Sequence, residues 1–201
     1  MHSLNDTALE SNKYMKINFK GSFIQSAVVS KRESFNNNTE IKSIPVSFVE
    51  LQKNSANDLE TLNNLKTWNR PNSFILDILH DFQFTLNKDK SNKFRFFVLT
   101  QQTSNFKTLE AEKILGITEV VTRDKNTKRI EYLQTSPEFI NINKNSKFQK
   151  IGTTMLNCIK KMFFDKNLVL HSVNNALEFY AKNGFVPYVK DITRLKYFKR
   201  K

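Results

Sequence analysis

Two short segments in the last third of this chain limit what it can fold into more than any other feature. The first, Phe148-Gln149-Lys150-Ile151-Gly152-Thr153-Thr154, opens an amphipathic run with Ile151, Met155, Leu156, Ile159 and Phe163 on one face. The second, Ala176-Leu177-Glu178-Phe179-Tyr180-Ala181-Lys182-Asn183-Gly184-Phe185, is a short helical stretch closed by a glycine. The chain has only four glycines and four prolines, so each glycine marks a place where backbone geometry matters. Gly184 suits the residue after a helix C-terminus, where φ turns positive. Gly152 stands where a helix starts, and a helix start offers unpaired N–H groups and the positive end of a dipole to an anion.

The rest of the sequence sets these segments in an alternating pattern. Ile44, Val46 and Phe48 predict a first strand. Asn57 with Glu60 reads as a capping box, followed by Leu59, Leu62, Leu65 and Trp68 at helical spacing. Pro71 breaks that run, and a second helix is predicted from about Ser73. Strands follow at 94–100, 117–122 and 129–135, the last two joined by a turn at 124–127. A helix over 152–164, a strand at 168–171, a helix at 176–182 and closing strands at 185–189 and 193–198 complete the order. Residues 1–40 are polar apart from Ile17–Val29 and end in the run Ser34-Phe35-Asn36-Asn37-Asn38-Thr39. They read as an N-terminal extension, partly ordered at most, before a domain spanning 41–201. Such an extension could cover a groove, pair two copies as a homodimer, or be disordered.

In this order the two segments resemble the GNAT superfamily of acyl-CoA-dependent N-acetyltransferases. The resemblance implies an α/β fold with a mixed, largely antiparallel sheet flanked by helices. It also implies acetyl-CoA as co-substrate, with no metal. The loop Gln149, Lys150, Ile151, Gly152, Thr153 and Thr154 corresponds to the family's Gln/Arg-x-x-Gly-x-Gly/Ala pattern, which grips the pyrophosphate; Thr154 departs from it. Backbone groups of Leu133, Gln134 and Thr135 are expected to pair with the pantetheine arm. Tyr180 corresponds to the tyrosine that protonates the departing thiolate, a sensible role for a phenol with an ordinary pKa near 10. An Asn seven residues before that tyrosine is replaced by Val173, leaving Asn174 and Asn175 as neighbours, and Asn175 is taken as a cofactor contact. For the general base, Glu131 is the first choice, with Glu119 and His171 as alternatives.

Charge bears on the acceptor. The chain carries a net charge of +13, and residues 146–201 contain 12 Lys and Arg against 3 Asp and Glu. A basic surface suits a polyanion, so a charged tRNA or an acidic protein fits as acceptor, and a small amine stays open. A catalytically inactive GNAT-fold module binding nucleic acid or a protein through its basic C-terminal surface is the alternative reading. Cys158 is the single cysteine, which excludes an intrachain disulfide and a zinc cluster, and no run reaches transmembrane length. The location expected by default is the cytoplasm.

Overall fold

The computed structural model describes residues 21–35, 38–71, 73–86, 93–139 and 147–197. Among these residues one sheet runs through the molecule in the order β6-β1-β2-β3-β4-β5-β7-β9-β8. Its strands are β1 (Ser22–Phe35), β2 (Asn38–Leu51), β3 (Phe94–Thr100), β4 (Ile114–Thr122), β5 (Thr127–Thr135), β6 (Phe148–Gln149), β7 (Asn167–His171), β8 (Phe185–Pro187) and β9 (Arg194–Tyr197). Every neighbouring pair is antiparallel except β5 and β7. Among the described residues four α-helices lie on the two faces: α1 (Ala56–Asn64) and α2 (Ile75–Leu86) on one, α3 (Ile151–Met162) and the short α4 (Leu177–Lys182) on the other.

Alternation along the strands sorts side chains into two cores. On the α3 face, Phe48, Phe97, Leu99, Leu115 and Ile130 meet Ile151, Met155, Leu156, Ile159 and Phe163. On the α1–α2 face, Val49, Phe96, Val98 and Ile117 meet Leu62, Leu65, Ile75, Ile78 and Phe82. Both sides of β3 and β4 are therefore buried, which is why those segments read as nearly continuous apolar runs.

The N-terminal expectation is corrected. Ser22–Phe35 is a full strand in register with β2 from Ser22↔Glu50 to Phe35↔Asn38, so the folded domain reaches well into the span assigned to an extension. Its inward side chains, Ile24, Ala27 and Val29, pack on the α3 core, while Val28 between them points to solvent. A one-sided strand interleaved with polar residues carries little hydrophobic signal. Residues 1–20, the Asn36-Asn37 part of the supposed linker and residues 198–201 of the basic C-terminal tail lie outside the described residues. The start of α1 also differs: Ser55 is the N-cap, and its side chain accepts from Asp58 N at 3.1 Å.

Strand β5 changes character halfway along. It pairs with β7 only from Thr127↔Asn167 to Ile130↔Leu170. Its register with β4 then skips Glu131, since Val120 faces Ile130 and Glu119 faces Tyr132. Glu131 is thus the extra residue of a β-bulge, and a bulge bends and twists the strand that carries it. Beyond it, among the described residues, Tyr132–Thr135 pair with β4 alone. The two parallel strands part here, and one backbone edge of β5 is left facing a gap.

Candidate functional site

A cleft of about 940 Å³ opens along that edge. Leu133, Gln134 and Thr135 form one wall, Gln149, Lys150, Ile151, Gly152 and Thr153 the floor, and Asn175 and Tyr180 the opposite wall. Ten of the twelve residues picked out in the sequence therefore meet in one cavity. Thr154 and Glu131 are not among the lining residues. Phe148, Ala176, Phe179 and Lys182 of the two segments also line it without having been assigned to the site, and Arg32 and Phe139 are lining residues that sequence reasoning missed.

The floor is the start of α3. Its N-cap, Lys150, has φ 63° and ψ 16°, a left-handed conformation uncommon for a side chain larger than Asn. Among the described residues no side chain caps this helix, and its first intrahelical bond runs from Thr154 N to Lys150 O at 2.8 Å. The amides of Ile151, Gly152 and Thr153 are thus the orphan donors of a helix start, gathered at the cleft floor. A left-handed residue leading into right-handed ones also turns successive N–H groups inward, as in an anion-binding nest.

Gly152 also answers a packing need. A Cβ at this position would come within 2.9 Å of Phe179 Cζ and 3.7 Å of Leu133 Cδ2. Glycine here lets the aromatic wall of α4 close over the start of α3. Gly184 has φ +83° and ends α4 as predicted, returning Phe185 to the core. Tyr180 stands edge-on to Phe179 and Phe185, with ring centroids 5.0 and 5.9 Å away. Burial among these rings pushes its phenol up to about 12, so it holds its proton throughout the physiological range.

Two polar residues of the motif have structural tasks. Gln134 turns its side chain through to the other face, where Oε1 accepts from Phe74 N at 2.7 Å and Ser73 Oγ at 3.2 Å and so caps the approach to α2. Thr154 Oγ1 donates to Val28 O at 3.1 Å, tying α3 to β1. The departure from a small apolar residue at Thr154 is thus matched by the presence of β1. The same strand pairs Ser30 with Gln149 and Lys31 with Phe148, and Arg32 N donates to Lys147 O at 2.8 Å. Strand β1 in this way clamps the loop before α3 and brings the Arg32 guanidinium to the cleft. Nothing local in the sequence marks Arg32, because its placement depends on pairing with residues distant along the chain.

The carboxylates proposed as base separate clearly. Glu119 is fully buried, neither carboxylate oxygen has a hydrogen-bond partner among the described residues, and desolvation first, then the nearby Asp81 and Glu131 charges, pushes it up to about 9. It is uncharged near neutral pH and has no capacity to take a proton. Glu131, on the bulge, is ion-paired with Arg129. His171, the last residue of β7 and the first beyond its pairing with β5, has Nε2 2.7 Å from Thr193 Oγ1. The Cys158 thiol is buried in the α3 core and desolvation raises it, which suits a packing residue.

No protein-family model matches the sequence, and no curated protein matches it. Its structure nonetheless has close company: a curled, mostly antiparallel sheet with one parallel pair and helices on both faces is the fold of the GNAT acetyltransferases. Tetrahymena GCN5 superimposes with a TM-score of 0.50 at 15% identity, covering 76% of this chain and 96% of that one. AtaTR, solved with AcCoA bound, superimposes with a TM-score of 0.50 at 14% identity, covering 76% of this chain and 92% of its own. Among the described residues no helix is long and apolar enough to cross a membrane.

Proposed function

We propose that the protein is an acyl-CoA-dependent N-acyltransferase, with acetyl-CoA as donor and a primary amine as acceptor. The observation that carries this reading is the shared cleft, bordered by an uncapped helix start, a strand edge that β7 leaves unpaired and a half-buried phenol. Each element fits one part of the donor. The amides of Ile151, Gly152 and Thr153 suit the pyrophosphate, and Arg32 and Lys150 add positive charge beside them. The main chain of Leu133–Thr135 suits the amide-bearing pantetheine arm, which can pair with it as an added strand. AtaTR, which shares this fold, is described with AcCoA bound.

The donor supplies a thioester whose acyl carbon accepts the amine. This chain's residues orient it and manage the protons. Tyr180, still protonated at neutral pH, gives its proton to the departing sulfur. Glu131, on the bulge where β5 and β7 part, is the residue we assign to take the proton from the amine. Glu119 is excluded because burial keeps it neutral. Asn175, beside Tyr180 on the far wall, completes the set of donor contacts.

Calorimetric titration with acetyl-CoA tests the donor site, using the wild type and Thr153→Asp. Micromolar binding weakened about a hundredfold by the added carboxylate is expected; no binding by the wild type would end the proposal. Aspartate in the first turn favours the helix, so lost affinity cannot be attributed to unfolding. Tyr180→Phe should then lower turnover about a hundredfold while acetyl-CoA affinity stays within twofold, the size typical of a lost general acid. Turnover equal to wild type would remove Tyr180 from the chemistry. Intact acetyl-CoA binding with no turnover on any amine would favour a non-catalytic module.

A further inference from the structure

A second cleft, of about 440 Å³, lies on the opposite face of the sheet beside the same parting of β5 and β7. Leu170, the last β7 residue paired with β5, lines it, as does His171, the first beyond that pairing. Its wall is built from every second residue of adjacent strands: Thr127 and Arg129 on β5, Asn167, Val169 and His171 on β7, Arg194 and Lys196 on β9. Arg123 and Tyr188 close its ends. Three arginines and a lysine thus line one small cavity whose lining contains no Asp or Glu. Two carboxylates of the described residues sit at its margins: Glu131 pairs with Arg129, and Asp191 lies 3.4 Å from Arg194.

We propose that this cleft binds phosphate carried by the acceptor, and that the acceptor's amine reaches the acyl donor through the parting of β5 and β7. The part of this inference that concerns the acceptor rests on the acyltransferase reading. Phosphate is the anion of choice because guanidinium forks match its oxygens in pairs, and several arginines around one cavity give more than a single carboxylate can use. Tyr188 and His171 add flat side chains beside the cations, suited to a nucleobase or another ring attached to the phosphate. Approach from this face leaves the α3 face to the donor, so donor and acceptor meet from opposite sides of the sheet. The phosphate can belong to a nucleic-acid backbone or to a small phosphorylated amine.

The probes are a fluorescein-labelled single-stranded RNA oligonucleotide followed by anisotropy, and inorganic pyrophosphate as competitor, both without acyl-CoA. Arg123→Glu/Lys196→Glu is compared with Lys66→Glu/Lys107→Glu, which alters net charge equally at exposed sites away from the cleft. Arg123→Gln/Lys196→Gln replaces the reversal if thermal unfolding shows it to be misfolded. The cleft variant should weaken RNA binding at least tenfold and lower the slope of log affinity against log salt by about 1.4, two phosphate contacts at about 0.7 each. The charge-matched control should stay within about twofold. Binding of pyrophosphate alone, lost in the cleft variant, would support the site and assign it to a small phosphorylated acceptor. Equal weakening in both double variants, or no binding of either probe by the wild type, would overturn the proposal. Acetyl-CoA calorimetry separates the two readings: lost RNA binding with intact acetyl-CoA binding removes only this cleft, and the reverse removes only the acyltransferase reading.

Discussion

Helices α1 and α3 begin in opposite ways. At α1, Ser55 caps the helix, and Asp58 three residues later reaches back to accept from Gln52 N at 2.6 Å. Orphan donors at that end are satisfied by the protein itself. At α3 the same two positions hold Lys150, in the left-handed conformation, and Thr153, with no side-chain cap. A helix end that serves only the fold is closed by its own side chains. One that is left open beside a cleft keeps its donors for something else.

Moving one carboxylate across this comparison is the strongest way to break it. Thr153→Asp gives α3 the acidic residue that α1 has, and it should cost about a hundredfold in acetyl-CoA affinity while leaving the melting temperature unchanged or slightly higher. A fall in melting temperature alongside the lost affinity would mean that the open end is a structural compromise rather than a binding device. The converse change, Asp58→Ala, should lower stability by about 1 kcal/mol in urea unfolding, because Gln52 N loses its acceptor, with acetyl-CoA affinity unaltered. An affinity change there would show that the two helix starts are coupled.

A smaller effect sharpens the distinction between buried charge and working charge. Glu119 unfolded releases its proton at its ordinary value near 4.5, whereas folded it keeps the proton to about 9. The folded state binds more protons between those limits, so stability is fully present below about 4.5 and declines as pH rises toward 9. Asp58, raised to about 6 chiefly by burial, adds a decline of the same sign below pH 6. Urea unfolding at pH 6.5 to 8.5 should therefore show wild-type stability falling by about 1 kcal/mol per pH unit, and Glu119→Gln should flatten that slope. A wild type equally stable across this range would mean that Glu119 is ionised in the folded protein.

What the sequence disclosed follows from how local each feature is. Tyr180, Gly184 and the loop 149–154 were legible because a helix start and a glycine-closed helix are written in adjacent residues. Helices α1 to α3 and the fully buried strands β3 and β4 were legible for the same reason, through their own periodicity. Strand β1 was not, since only one of its faces is apolar and its partners, β2 and β6, come later in the chain. Arg32 was invisible with it. An unbroken two-residue alternation would put Glu131 with Leu133 and Thr135 on one face, but the bulge at Glu131 breaks it, and Glu131 pairs with Arg129. The basic cleft was legible only as a surplus of charge; which cations gather depends on the neighbours β5, β7 and β9 acquire in the sheet.

The bond between β1 and β6 also has a consequence in time. Ser30 finds Gln149 only after most of the chain has been made, and contacts so distant in sequence form late and slowly. Until then the edge of β1 away from β2 is unpaired at this point, a template for wrong partners. The loop before α3 is thus held by a pairing that spans more than half of the chain, and the cleft floor depends on a contact that no local segment can make alone.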